Sequence, residues 1–180
     1  QCHTHPSEQQ VAQDQFWQMN AFLRQMRVET DKESGVTRLV NRDFRGEGQR
    51  GEDAEIYYEL GNGLVRSAYP VFIDGTELPH SGRVEEVDRR TELARLVRQS
   101  PNLSLAVMNR LWSHFLGYGF TNPVDDIGPH NPSVLPEVWN ELAQSWTARR
   151  HDLRTAMRWI ALSDAFGLSS KVADVQRADI

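Results

Sequence analysis

A single cysteine, Cys2, stands in 180 residues, which excludes an internal disulfide and a cysteine-rich zinc site. No apolar run approaches the roughly 20 residues that a membrane-spanning helix needs. Positive charge is not in surplus. The net charge is −5, which argues against a nucleic-acid partner, since such a partner needs a basic face. There is no Gly-x-Ser-x-Gly elbow, no His-Glu-x-x-His pair and no phosphate loop, so three common routes to hydrolysis or nucleotide chemistry are missing. No internal repeat is evident. No leader is read at the start, which opens on polar Gln1, Cys2 and His3. An exported protein seen after processing would look the same.

What remains suits a globular chain. The length fits one ordinary domain or two small ones. Apolar residues make up 39% and charged residues 25%, with the apolar share toward the low side. Five Trp and seven Phe add large buried area, so a core is within reach.

Periodicity gives the elements. From Ala12 to Arg27 the pattern is helical, with Phe16, Met19, Leu23 and Met26 on one face. Residues 28–53 are rich in charge, and only Val36, Leu39 and Val40 suggest a short strand. Gly46, Gly48 and Gly51 match the dinucleotide fingerprint by letters. That motif needs a buried strand before it and a helix opening inside it, and charged residues flank it here, so it reads as a loop. Ile56 to Leu60 and Leu64 to Ile73 flank a Gly61-Asn62-Gly63 turn, a hairpin signal because Gly and Asn tolerate positive φ. Pro70 confines the second arm to an edge or to short pieces.

Four helices follow. The first spans about Glu85 to Gln99, with Leu93, Leu96 and Val97 inward. The second spans about Leu103 to Leu116 and ends at Gly117. A thirteen-residue loop from Thr121 to Ser133 holds three prolines. The third helix spans about Leu135 to Ala148. The fourth is capped by Asp152 and ended by Gly167.

Several stretches resemble, in order, a family known chiefly from planctomycete bacteria. They are YPVFIDG (69–75), DRRTELA (88–94), NRLWSHFLGYG (109–119), NPVDD (122–126), NPS (131–133), Ser163 and LSS (168–170). The stretch CHTHP (2–6), with Phe16, Trp17 and Phe22, is similar to the end of that family's first domain, where the pattern reads Cys-x-x-Cys-His-x-His-Pro. The resemblance implies an exported protein with two adjacent domains of unknown function, often beside a cytochrome-c-like domain. It also implies that this chain is a fragment spanning the end of the first domain and the start of the second. Two departures stand out. The leading Cys of the CxxCH pattern is absent, and covalent haem c normally needs both thiols. Leu135 occupies the position before Pro136 where the family places a His.

Three sets of residues are candidates for chemistry. Cys2 and His3 could hold haem c, and His3 with His5 could bind another metal. With one thiol and two imidazoles, a plain terminal stub is the preferred reading. The cofactor is left open: haem c could belong to the full-length protein, and is not expected in this chain alone. Arg110, His114 and Asp126 could line a catalytic cleft, with Arg110 holding an anion and His114 or Asp126 moving protons. Alternatively, Asn109, Arg110, Asp125 and Asp126 form a brace that fixes the long loop, and this is preferred. His130 and Asn131, at the loop tip, read as a solvent-exposed turn. Trp112, Trp139, Trp146 and Trp159 could stack sugars, but core packing is preferred; Trp17 and Trp159 are the better candidates for exposed rings.

The sequence therefore predicts a mainly α chain with a small β-hairpin region (α+β) and a helical second part of about four helices. Residues 1–74 are expected to end a first domain, and residues 75–180 to form an incomplete helical second domain. The expected role is a non-catalytic scaffold or binding part of an exported, redox-linked protein. Its partners would be the remainder of the parent protein, a polysaccharide or a redox partner, with no nucleic acid and no membrane span. The alternatives are part of an enzyme acting on extracellular polysaccharide, and a haem-c electron-transfer segment.

Overall fold

A computed structural model describes residues 12–47 and 54–168. The fold is α+β and mainly helical. The described elements run α1 (Gln13–Ala21), β1 (Met26–Thr30), β2 (Thr37–Asn41), β3 (Ile56–Glu59), β4 (Val65–Ala68), α2 (Arg89–Gln99), α3 (Pro101–Leu116), α4 (Pro136–Ala148), α5 (Leu153–Ala161) and α6 (Asp164–Gly167). The strands form two antiparallel hairpins, β1–β2 and β3–β4. No described helix is long and apolar enough to cross a membrane. The chain divides into two compact units after Gln99. That division falls later than residue 74, because residues 75–99 fold back onto the first unit.

In the first unit, α1 packs beside the β3–β4 hairpin. Trp17 stacks on Tyr58, with centroids 5.5 Å apart. Ile56 and Tyr58 alternate inward along β3 and join Phe22, Tyr69, Phe72, Leu78 and Leu96 in one core. The Gly61-Asn62-Gly63 turn forms as its residues predict. The Leu64 amide donates to Asn62 Oδ1 at 3.1 Å, and Gly63 has φ 81°.

Two expectations here need correction. The first helix stops at Ala21 instead of Arg27. Phe22 and Gln25 are both fully buried. Gln25 Nε2 donates to the carbonyls of Gly82 and Val87 at 3.0 Å each, and Gln25 Oε1 accepts from the Arg89 amide at 2.9 Å. Those long-range bonds draw the chain out of the helix, and Met26 opens a strand. The apolar spacing through Leu23 and Met26 was coincidental: Leu23 is exposed. The second correction is that the charged stretch after residue 28 contains a full hairpin, with Val28 opposite Leu39. Its turn is set by Asp31, whose Oδ1 accepts from the amides of Glu33 (3.0 Å) and Ser34 (2.7 Å), and by Gly35 at φ 68°.

Asp88 caps α2. Its carboxylate accepts from the Thr91 amide at 3.1 Å and from the Asn41 side-chain amide at 2.8 and 2.9 Å. Partial burial pushes its pKa up, but these bonds more than offset that and hold it below the ordinary aspartate value. A carboxylate depressed on folding stabilises fully above its unfolded pKa and loses that contribution as pH falls through the folded value. Asp88→Asn should therefore cost stability at pH 6. The gap to the wild type should close below about pH 4. Urea melts across pH 3–6 would test this, and a gap that stays constant would refute it.

In the second unit, Ser100 caps α3, with Pro101 at its first position, and Gly117 closes it at φ 90°. Asp152 caps α5, accepting from the Arg154 amide at 3.0 Å and from Thr155 Oγ1 at 2.7 Å. The expected fourth helix is broken at Leu162. Ser163 accepts from the Phe166 amide and starts the short α6. The core is aromatic. Phe120 lies 4.8 Å from Trp112 and stacks on Trp139 at 5.8 Å. Met108, Ala143, Trp146 and Ala156 complete it. Trp159 and Trp17, expected as exposed rings, are half-buried.

Candidate functional site

The loop after α3 is organised by Asn109, which is fully buried on the inner face of that helix. Its Oδ1 accepts from the Phe120 amide at 2.6 Å and the Thr121 amide at 3.4 Å. Its Nδ2 donates to Thr121 Oγ1 at 2.8 Å and to the Val124 carbonyl at 2.9 Å. Both ends of one amide are thus occupied by the loop it faces. Gly119 makes this possible: a Cβ there would come within 2.6 Å of Asn109 Oδ1 and 2.9 Å of the Thr121 carbonyl.

Asn109→Ala should leave two buried backbone groups unmatched and lower stability by about 2–4 kcal/mol. Chemical denaturation would read this directly. A loss under about 1 kcal/mol would mean that water takes the amide's place.

Around Asn109 lie the other candidates. Arg110 pairs with Asp125 through Nη2 and Oδ1. The two side chains are 67% and 70% exposed, so solvent screens the contact and it adds little. Asp126 does not join it. Asp126 Oδ1 lies 2.7 Å from His130 Nε2, and the Asp126 carbonyl accepts from Asn131 Nδ2 at 2.8 Å. His130 and Asn131 therefore hold the loop tip. The Val134 amide returns to the Phe120 carbonyl at 2.9 Å and closes the loop. His114 is exposed, its ring edge-on to Phe115 at 6.0 Å. No hydrogen bond or ion pair ties His114 to Arg110 or Asp126. His114 lies one helical turn from Arg110 on α3, but the three side chains are not bonded to one another.

Sequence reasoning passed over Arg89. It is 0% exposed, and no carboxylate pairs with it among the described residues. Its Nη1 donates to the Ala21 carbonyl at 3.1 Å, and its Nη2 to those of Ala54 at 2.8 Å and Ser81 at 3.2 Å. The guanidinium lies 4.8 Å from the centre of the Tyr69 ring and 5.6 Å from that of Phe44. Tyr69 Oη in turn donates toward the Pro79 and Ser81 carbonyls. Burial pulls the Arg89 pKa down, with Tyr69 acting in the opposite direction. One signal was available: Arg89, Leu93 and Leu96 fall at i, i+4 and i+7, on one face of the helix.

Among the described residues, no group of three or more His, Cys, Asp or Glu side chains could hold a metal ion. Cys2, His3 and His5, the candidate haem and metal ligands, lie outside the described residues, as do Gly48 and Gly51. The described part of that glycine stretch is not a nucleotide site. Residues 42–46 after β2 are irregular, and the next described element is the strand β3.

Residues 89–180 match a family described as a protein of unknown function (DUF1553, also PSD1). The match takes in 92 of 180 residues, and the chain belongs to that family. Comparison with curated proteins gives no match, and neither does comparison with solved structures.

Proposed function

We propose that this chain is a non-catalytic scaffold or binding part of a larger exported protein linked to a redox domain. One observation carries the non-catalytic reading. The polar side chains gathered after α3 are engaged with one another and with their own loop. Asn109 serves four loop groups, Arg110 faces Asp125, and Asp126 faces His130. A general acid or base needs a free path to a substrate proton, and Asp126 is held against His130 while Arg110 lies in solvent, outside any cleft of converging polar groups among the described residues. The export and the redox link are supported by the ordered planctomycete-type motifs and by the CHTHP stretch at residues 2–6.

The test sets activity against stability. The full-length parent protein is incubated with a panel of soluble polysaccharides, alongside Asp126→Asn and His114→Ala. The proposal expects no turnover by any of them. Asp126→Asn should lower the melting temperature by a few degrees, and His114→Ala should leave it unchanged. Turnover that Asp126→Asn or His114→Ala abolishes would replace this reading with the enzymatic one. A Soret band on the full-length protein would support the redox link, and a flat visible spectrum would remove it.

A further inference from the structure

The corner between α4 and α5 gathers four exposed arginines within ten residues, whereas Arg38, Arg45 and Arg98, which are likewise exposed and without an ion pair among the described residues, are scattered along the chain. Arg24, Arg42, Arg83, Arg95 and Arg110 each pair with a carboxylate. Arg149, Arg150, Arg154 and Arg158 are all exposed, and among the described residues their side chains make no ion pair or hydrogen bond. Four arginines without an ion pair or hydrogen bond thus fall within ten residues of a chain whose net charge is −5; the one carboxylate in that stretch, Asp152, caps α5 and attracts Arg154 at longer range. Arg154 and Arg158 share one face of α5, and Arg150 continues their four-residue spacing into the corner. Beside that row runs an apolar one. Leu153 is 48% exposed and Met157 39%, although Ala156 and Ile160 of the same helix are buried.

The backbone supplies an independent observation. Arg150 has φ 54° and His151 φ 62°. The Arg150 amide donates to the Thr147 carbonyl at 2.9 Å and the His151 amide to the Trp146 carbonyl at 3.1 Å. This is the Schellman termination, whose first left-handed position ordinarily belongs to glycine. His151 has a local reason to be there, with its ring set edge-on to Trp146 at 4.6 Å. Arg150 has none, yet it carries a left-handed strain that glycine would avoid. Strain retained without a local contact points to a use for the side chain outside the unit.

We propose that this corner docks an acidic amphipathic helix of a protein partner. The partner's apolar stripe would cover Leu153 and Met157, and its carboxylates would meet Arg150, Arg154 and Arg158. An apolar row edged by like charges is one side of a helix–helix interface, and the complementary side carries the opposite sign. A polyanion without apolar groups would leave Leu153 and Met157 uncovered. A single-stranded nucleic acid would stack on exposed rings, and the rings here are engaged with the unit's own core, His151 against Trp146 and Trp159 packed on the aromatic cluster. An anionic lipid surface is the alternative that the test separates. The inference concerns a different face from the loop at 109–131 and does not depend on its reading.

The probe is a labelled helical peptide with Leu at i, i+4 spacing bordered by Glu, together with a counterpart carrying Lys for Glu. Binding to the full chain is read by anisotropy at about 0.1 M salt. The acidic peptide should bind the wild type. The double substitution Arg154→Glu/Arg158→Glu should weaken it about tenfold or more, and should bind the Lys peptide better than the wild type does. Arg150→Gly should raise the melting temperature by a few degrees while weakening the acidic peptide. Melting temperature also checks that the double variant is folded. The proposal is overturned if the double variant keeps its affinity for the acidic peptide. It is overturned equally if phosphatidylglycerol vesicles bind the wild type and the peptide does not.

Discussion

Gly82→Ala should be among the most damaging single methyl additions in the chain, lowering stability by about 3–5 kcal/mol. A Cβ at Gly82 would lie 1.7 Å from the Phe44 carbonyl oxygen, 2.9 Å from its carbon and 2.8 Å from the Ala54 Cβ. The first separation is shorter than any non-bonded contact, and the obstacle is backbone, which cannot swing aside as a side chain can. The two segments are also tied together. The Phe44 amide donates to the Gly82 carbonyl at 2.9 Å, and Gln25 Nε2 reaches that same carbonyl at 3.0 Å. Moving them apart breaks buried hydrogen bonds as well as relieving the clash. Gly61→Ala is the control, since nothing lies within 4 Å of its added carbon. A Gly82→Ala melting curve that overlays that of Gly61→Ala would show the two segments to be free to part.

Arg89→Met should cost about 3 kcal/mol, and Arg89→Lys roughly half of that. Methionine keeps an unbranched apolar stem of similar length and removes the charge, so it isolates the guanidinium. What it leaves behind is three carbonyls, of Ala21, Ala54 and Ser81, each from a different segment and each short of the guanidinium; Ser81 keeps Tyr69 Oη and Ala21 the Arg24 amide at 3.4 Å, so Ala54 is the most exposed to the loss. Lysine restores the charge but not the planar fork, and one ammonium cannot reproduce contacts to three acceptors and a ring face. The opposing term is desolvation. Arg89 is a buried cation, and its Nε finds no partner. In some proteins, replacing buried charge with apolar side chains raises stability. Here the acceptors are backbone and cannot be replaced along with the charge, so the loss should win. Urea midpoints for the wild type, Arg89→Met and Arg89→Lys decide it. Arg89→Met at or above the wild type would show that desolvation dominates. The effect should be flat from pH 5 to pH 9, because a guanidinium stays protonated throughout, in contrast to Asp88.

The parts of the fold that sequence revealed are those with local causes. Ser100 with Pro101, Gly117 and Asp152 mark helix ends by chemistry within a few residues, and α3, α4 and the start of α5 fall close to where they were expected. The Asn62-Gly63 turn did the same for β3–β4. What was hidden has distant causes. The early end of α1 depends on Gln25 bonding to residues 82, 87 and 89, over sixty positions away for the last two. The β1–β2 hairpin is exposed along most of its length, so alternation of apolar and polar residues could not announce it. At the loop after α3, residue types suggested that Asn109, Arg110, Asp125 and Asp126 hold it. Their burial could not be read, and Arg110 with Asp125 lies in solvent. Arg89 was missed because a charged residue on an apolar face is ordinarily assigned to the rim rather than the centre.

Arg89 also sets an order of events. It binds Ala21 across a separation of 68 positions in the chain, and it binds Ala54 across 35. A nascent chain emerges from its N-terminal side, so α1 and both hairpins exist before the residue that ties them together. Until α2 has been synthesised, the carbonyls of Ala21 and Ala54 must remain hydrated and the core around Tyr69 open. Contacts of such long range make closure slow relative to the helices of the second unit, whose partners lie nearer along the chain. The first unit should therefore be the late step in folding although it is the first to be made. A chain stopped before residue 89 should be an aggregation-prone intermediate rather than a small folded piece.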